Sequence, residues 1–406
     1  MVENNPIAPG KRAPRVRLPI LVLVRTIINV PFRIVYPFLP SIARGLGVSL
    51  AAANGLIALR WLIRMAAPLL GPLLDRYDRR RVMQVALLCF TLAGLLLVGV
   101  GTFAATAAAF TLYGIAKVLY DPAVHAYLGD SVPYHRRGRA VGIAELSWSA
   151  AWLFGVPAAG LLIDHFGWRA PWAVLIGLGL LGIGLTRVGL PPAFGQSARH
   201  SGEPFLASTV AVWRSLLRRR SVVVLLLTSA LITLAAEIPF VIYGAWIEES
   251  FGLSLTTLGL ASTVVGLAEA TAEFGTAMIT DRLGKRRSVL VGLLGLAASL
   301  IALPWLSGLG LAPALAGVAL MLLTFEFGVV SLMPMATELA PDARATLVSL
   351  NGAAFGLSRV VAALAGGWLW RWQGAGAQNP IALHAGVGAV CAIAAALLLA
   401  RGMEQA

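Results

Sequence analysis

Charge is scarce in this chain. Of 406 residues only 12% are Asp, Glu, Lys or Arg, while 58% are hydrophobic. A water-soluble domain of that composition would aggregate, and a disordered chain needs the opposite balance. Cysteine is scarcer still. Cys89 and Cys391 both fall inside apolar runs, so they read as small buried apolar side chains and not as a disulfide or metal pair. Five histidines (His125, His135, His165, His200 and His384) stand in different segments without ligand spacing. No metal site and no nucleophile–base pair follows from them, and the chain is not expected to be an enzyme. No Walker A motif marks it as ATP-driven, and no cofactor is expected.

What is abundant is apolar sequence in runs of bilayer-crossing length, about 20 residues each. Twelve are predicted, over 18–40, 50–74, 82–102, 106–130, 140–164, 171–190, 221–247, 255–280, 288–308, 313–339, 345–370 and 380–400. The first is too long for a signal-peptide core and is interrupted by Arg25, Asn29 and Arg33. A β-barrel would show short alternating strands instead of unbroken runs. The fold class is therefore an all-α membrane protein of twelve transmembrane helices.

The few charges are unevenly placed. There are 32 Lys and Arg against 18 Asp and Glu, a formal net charge of +14. Basic residues concentrate in the N-terminal tail (Lys11, Arg12, Arg15, Arg17) and in every second inter-helix loop, as in Arg79–Arg81 and Arg218–Arg220. The opposite loops contribute only Arg44, Arg169 and Arg371. The positive-inside rule then puts both termini in the cytoplasm. Cations spread over short loops do not make a nucleic-acid surface, so no nucleic-acid partner is expected. Trp168, Trp172, Trp246, Trp305, Trp368, Trp370 and Trp372 cluster towards the outer span ends, as an interfacial belt would.

The longest polar stretch divides the chain. The predicted organisation is a basic tail (1–17), a six-helix bundle (18–190), a linker with an amphipathic surface helix over Phe205–Arg220 (191–220), a second bundle (221–400) and a short tail (401–406). The halves share internal similarity. Pro31-Phe32 recurs as Pro239-Phe240, Tyr36 as Tyr243, Gly47-Val48-Ser49-Leu50 as Gly252-Leu253-Ser254-Leu255, and Asp75-Arg76 as Asp281-Arg282, all at nearly one offset.

These features resemble the major facilitator superfamily along essentially the whole chain. The loop Gly71-Pro-Leu-Leu-Asp75-Arg76-Tyr-Asp78-Arg79-Arg80 is similar to the family's G-x-x-x-D-R-x-G-R-R signature, with Asp78 where a second Gly is usual. A degenerate copy, Asp281-Arg282-Leu-Gly284-Lys285-Arg286, lies at the matching place in the second half. Lys117 stands where the family often has an Arg in helix 4. Gly155-Val156-Pro157-Ala158-Ala159-Gly160 resembles the helix 5 pattern of the family's antiporters. The resemblance implies two pseudo-symmetric six-helix bundles, a substrate site between them near mid-membrane, and a gating latch of Gly71, Asp75, Arg76, Arg79, Asp281 and Arg282. It also implies a drug:proton antiporter-like exporter, monomeric, in a bacterial inner membrane, driven by a proton gradient. Proton-coupled uptake of an organic anion and a lipid or lysophospholipid flippase remain the alternatives.

Inside the spans lie six cations (Arg25, Arg33, Arg60, Arg64, Lys117, Arg359) and six acids (Asp121, Glu145, Glu237, Glu269, Glu273, Glu326). Each costs roughly 2.5–3.5 kcal/mol at a helix centre, so they should pair or line a wet cavity. Arg25 has snorkelling to the headgroups as an alternative. Arg60 and Arg64 have salt bridges between the halves, and Lys117–Asp121 a local i,i+4 pair. The first half holds five of the cations and the second half four of the acids. The expectation is that Asn29, Arg33, Tyr36, Arg60, Arg64, Tyr113, Lys117, Tyr120, Trp148, Trp152, Tyr243 and Arg359 bind an anionic or zwitterionic substrate. Asp121, Glu145, Glu237, Glu269, Glu273 and Glu326 would carry coupling protons.

Overall fold

A computed structural model of the chain describes residues 17–65, 77–191, 212–340, 343–373 and 378–402. Among them the chain is helical, in twelve successive spans. In the first half these are α1 (Leu18–Leu46), α2 (Leu50–Arg64), α3 (Arg79–Val100), α4 (Phe103–Ser131), α5 (Tyr134–Glu145, Ser147–Ala150, a π-helical turn Ala151–Gly155, and Val156–Phe166) and α6 (Ala170–Gly189). The second half has α7 (Arg220–Phe240 and Tyr243–Phe251), α8 (Leu255–Ala261 and Thr263–Leu283), α9 (Lys285–Gly308), α10 (Leu311–Leu339), α11 (Arg344–Gln373) and α12 (Ala382–Gly402). Eleven are long and apolar enough to cross a bilayer. The described part of α2 is shorter, with 15 residues. Of the predicted linker helix over Phe205–Arg220, residues 212–217 are helical, 218–219 form a turn, Arg220 already begins α7, and 205–211 lie outside the described residues.

The internal repeats have a physical cause. Gly47 and Gly252 end α1 and α7 in the left-handed region, with φ of 65° and 60°, where a side chain would be strained. Two residues on, Ser49 and Ser254 accept hydrogen bonds from Ala52 N and Thr257 N and so cap α2 and α8. One short turn is built twice. Asp78, the departure from the loop signature, is likewise a cap: its carboxylate accepts from Arg80 N at 2.9 Å at the start of α3.

The basic side shows a second repeated device. Arg79 on α3 reaches Asp130 at the end of α4, 3.5 Å away, and Arg80 donates to the Leu190 carbonyl beyond α6 at 3.3 Å. In the other half Lys285 on α9 pairs with Glu338 on α10, and Arg286 donates to the Ala400 carbonyl of α12 at 2.6 Å. These cations tie together helices of their own half. Of the predicted latch, Gly71, Asp75 and Arg76 and the side chain of Asp281 lie outside the described residues, and Arg282 is exposed.

On the opposite side the halves are pressed together. Gly244 of α7 sits against α1 so closely that a Cβ there would lie 2.1 Å from the Pro37 carbonyl oxygen. Pro40 has no N–H to offer the Tyr36 carbonyl, which also lies 2.6 Å from that Cβ position. The α5 and α8 backbones meet at Gly160 and Gly259. Arg44 pairs with Glu248 at 2.8 Å, and Asp164 accepts from Thr256 Oγ1 at 2.7 Å. The space between the halves therefore opens towards the arginine-rich side.

Several sequence expectations need correction. Trp172 and Trp246 are buried and not part of an interfacial belt; Trp172 packs on Phe110 and Tyr113. Trp305, Trp368 and Trp372 are exposed. Both cysteines are free and only partly buried.

Gly244→Ala puts a methyl group into the Pro37 backbone, which has no way to yield. The closed side should open more often. In a chain with Cys89 and Cys391 replaced by Ala, a Phe240→Cys probe should be labelled several-fold faster by an impermeant thiol reagent added from outside. Unchanged labelling would contradict the described closure.

Candidate functional site

Two connected cavities lie between the halves. One, of about 540 Å³, is lined by Trp61, Arg64, Lys117, Asp121, Phe325, Glu326, Phe355 and Arg359 among others. The second, of about 260 Å³, reaches deeper, to Arg33, Tyr36, Trp148, Glu237, Phe240, Glu269 and Glu273. The first is of the size that takes a small organic ligand.

The charges in and around them form two groups. The first lies within the first half. Asp121 of α4 receives Lys117 Nζ at 2.9 Å, Arg25 Nε at 3.5 Å and Arg64 Nη2 at 3.7 Å. Arg25 Nη2 also donates to Glu145 Oε2 at 3.0 Å, and its Nη1 lies 2.9 Å from the other oxygen of that carboxylate. His125 Nε2 lies 3.4 Å from the same carboxylate. Lys117, fully buried, further donates to Asn29 Oδ1, and Asn29 Nδ2 donates to Ser147 Oγ at 3.0 Å. Helices α1, α4 and α5 are thus joined by one polar network. Arg25 is buried and ion-paired, and does not snorkel.

The second group crosses between the halves at the cavity floor. Arg33 Nη2 on α1 binds Glu269 Oε2 on α8 at 2.6 Å. Tyr36 on α1 donates from its hydroxyl to Glu237 on α7, and Arg359 Nε on α11 lies 3.4 Å from the other oxygen of Glu237. Glu273 and Glu326 line the cavity with no hydrogen bond or ion pair among the described residues. Two indoles each serve two cations. Trp148 has Lys117 Nζ at 4.1 Å and the Arg33 guanidinium at 4.6 Å from its ring centre. Trp61 has those of Arg359 and Arg64 at 4.2 and 4.7 Å.

Helix irregularities position these groups. Pro31, Pro37 and Pro40 lie inside α1. Arg60 of α2 donates to the Pro31 and Phe32 carbonyls, each at 3.1 Å, which ties α1 to α2 immediately before Arg33. In α5 the π-helical turn lies just before Pro157, whose missing N–H leaves the Leu153 carbonyl without its helical partner. Such turns recur at functional sites, and this one places Trp148 and Trp152 beside Arg33.

Arg33, Tyr36, Arg64, Lys117, Trp148 and Arg359 line the cavities, as do all six intramembrane acids. Other predicted substrate residues do not. Arg60 is fully buried on backbone carbonyls and makes no salt bridge between the halves among the described residues. Tyr113 packs between Phe90 and Trp172, and Tyr120 is buried inside the first half. Asn29 is used up by Lys117 and Ser147. Trp152 packs on Phe240 at the interface, and Tyr243 bonds Ser262. The sequence reading missed Trp61, Phe325 and Ser147. Trp61 stands three residues before Arg64, a same-face spacing that would have exposed it.

The model of the Major Facilitator Superfamily matches this chain twice, over residues 21–241 and 225–405. The chain is 26% identical over 303 residues to the MFS-type transporter YceJ of Bacillus subtilis, covering 74% of this chain and 75% of that one. It is 29% identical over 279 residues to the class C tetracycline resistance protein of Escherichia coli, covering 64% and 66%. Among solved structures, a D-xylose–proton symporter superposes with a TM-score of 0.75 at 17% identity, covering 95% of this chain and 96% of that one. With the family model matching over both halves, twelve helical spans and a cavity between them, this chain belongs to the major facilitator superfamily.

Proposed function

We propose that the chain is a secondary active transporter that exports a small organic anion or zwitterion in exchange for protons, by alternating access. The observation that carries this reading is the ion pair Arg33–Glu269, which spans the two halves at the cavity floor. Glu237 does the same through Tyr36. A proton added to either carboxylate removes the charge that holds a cation or hydroxyl of the other half. The energy of a proton gradient thereby reaches the interface that must open and close. Glu273 lies one turn from Glu269 on α8, and Glu326 faces the same cavity from α10. Together they form a row of carboxyl groups from the clasp towards the cavity mouth, able to pass a proton on. The Asp121 cluster has a different part. Its cations and acids all belong to one half, so it holds that half rigid while the clasp changes. The similarity to a tetracycline resistance protein supports export.

The test separates the two groups in proteoliposomes supplied with external tetracycline as a zwitterionic probe. Glu269→Gln should reduce gradient-driven accumulation to the level of empty liposomes while leaving exchange without a gradient. If Glu237→Gln, Glu269→Gln and Glu326→Gln all kept gradient-driven flux, the coupling reading would be wrong.

Asp121→Asn should act on stability first. It leaves Lys117 and Arg25 facing each other in the membrane interior, a loss on the order of 3–5 kcal/mol for a broken buried pair. A clearly lowered melting temperature is expected for Asp121→Asn and a much smaller change for Glu273→Gln, which breaks no ion pair.

A further inference from the structure

Four of the six intramembrane cations donate at least one hydrogen bond within the protein, although Arg25, Arg33 and Arg60 each keep a buried nitrogen without one. Arg25 and Arg33 have hydrogen bonds to carboxylates, Lys117 to a carboxylate and an amide, and Arg60 to two carbonyls, all at 3.1 Å or less where a distance applies. Arg64 and Arg359 differ. Neither donates a hydrogen bond to a described residue. Arg64 approaches Asp121 only at 3.7 Å, and Asp121 is already engaged by Lys117 and Arg25. Arg359 approaches Glu237 at 3.4 Å, and Glu237 already receives the Tyr36 hydroxyl. Arg64 Nη1, Arg359 Nε and Trp61 Nε1 are buried without a hydrogen-bond partner.

These three residues stand together. The guanidinium groups of Arg64, from the first half, and Arg359, from the second, both lie over the Trp61 ring, at 4.7 and 4.2 Å. All three line both cavities. A π face attracts a cation but does not neutralise it, and two cations sharing one indole repel each other. An anion within reach of both removes that repulsion and takes the unused donors. Beyond them the larger cavity is walled by Phe325, Val329, Met333 and Phe355, an apolar surface.

We infer that Arg64 and Arg359, set about Trp61, form a clamp for the carboxylate of an organic anion whose apolar body lies along Phe325, Val329 and Phe355. The inference rests on the transport reading above and gives its substrate class. Each arginine comes from a different half, so an occupied clamp also ties α2 to α11. An amine in the same place would meet two guanidinium groups and is rejected.

Equilibrium binding to the full chain in lipid nanodiscs, with no proton gradient, tests this. The probes are 2-naphthoate, neutral 2-naphthamide and cationic 2-naphthylmethylammonium, which share one apolar body. Saturable binding of 2-naphthoate is expected, with the other two at least tenfold weaker. Arg64→Gln and Arg359→Gln should each lose most of that preference, and Arg64→Lys should recover part of it, in preparations whose melting temperature shows a folded protein. The clamp is overturned if the ammonium probe binds as well as 2-naphthoate, if 2-naphthoate does not bind, or if the double Gln variant binds it as tightly as the wild type. Because no gradient is present, failure here leaves Glu269-dependent coupling standing. Loss of coupling with binding intact leaves the clamp standing.

Discussion

A charge in the middle of a membrane protein must find a counter-charge or hydrogen-bonding partners, because the alternative is an unpaired ion in a medium of low dielectric constant. The ion pair between Arg33 and Glu269 meets that requirement across the two bodies that the proposed alternating access would move apart. The surrounding architecture follows from it. Trp148 and Trp152 flank the guanidinium, and the π-helical turn of α5 sets them there. Arg60 ties α1 to α2 through the carbonyls beside Arg33. A clasp that depends on a titratable group is a natural point at which proton binding biases a two-state equilibrium.

The two halves are built from the same local devices, and this separates what is structural from what is specific. The Gly–x–Ser turns and the paired anchors Arg79–Asp130 and Lys285–Glu338 occur in both. The intramembrane charges do not repeat. Lys117, Arg25 and Arg64 converge on Asp121 in the first half, while Glu269, Glu273 and Glu326 gather in the second. Shared devices make each bundle rigid, and the unshared charges give the cavity its two unlike walls.

Much of the plan was legible in the sequence because it rests on length and charge. Apolar runs gave the spans, and the recurring Gly-x-Ser-Leu gave the repeated turn. The facing of individual side chains was harder to read. In a soluble helix the polar face points to water, but here apolar residues cover lipid-facing and protein-facing surfaces alike. Tyr113, Tyr120 and Lys117 share one stripe of α4, yet Lys117 reaches the cavity and the tyrosines turn into the first half. Arg60 and Arg64 are one turn apart, and of the two only Arg64 lines the cavities, because Arg60 is drawn onto the Pro31 and Phe32 carbonyls of α1. Partners distant in sequence, such as Ser147 for Asn29, leave no local trace.

The central claim is that protonation of the carboxylates between the halves sets how the halves are tilted. Spin labels at Arg139→Cys on α5 and Arg282→Cys on α8, both exposed on the basic side, report the separation of the two bundles there by pulsed electron resonance. The account predicts two separations whose ratio changes between alkaline and acidic pH, and a ratio independent of pH once Glu237→Gln and Glu269→Gln are combined. An unchanged pH dependence in that double variant would contradict it.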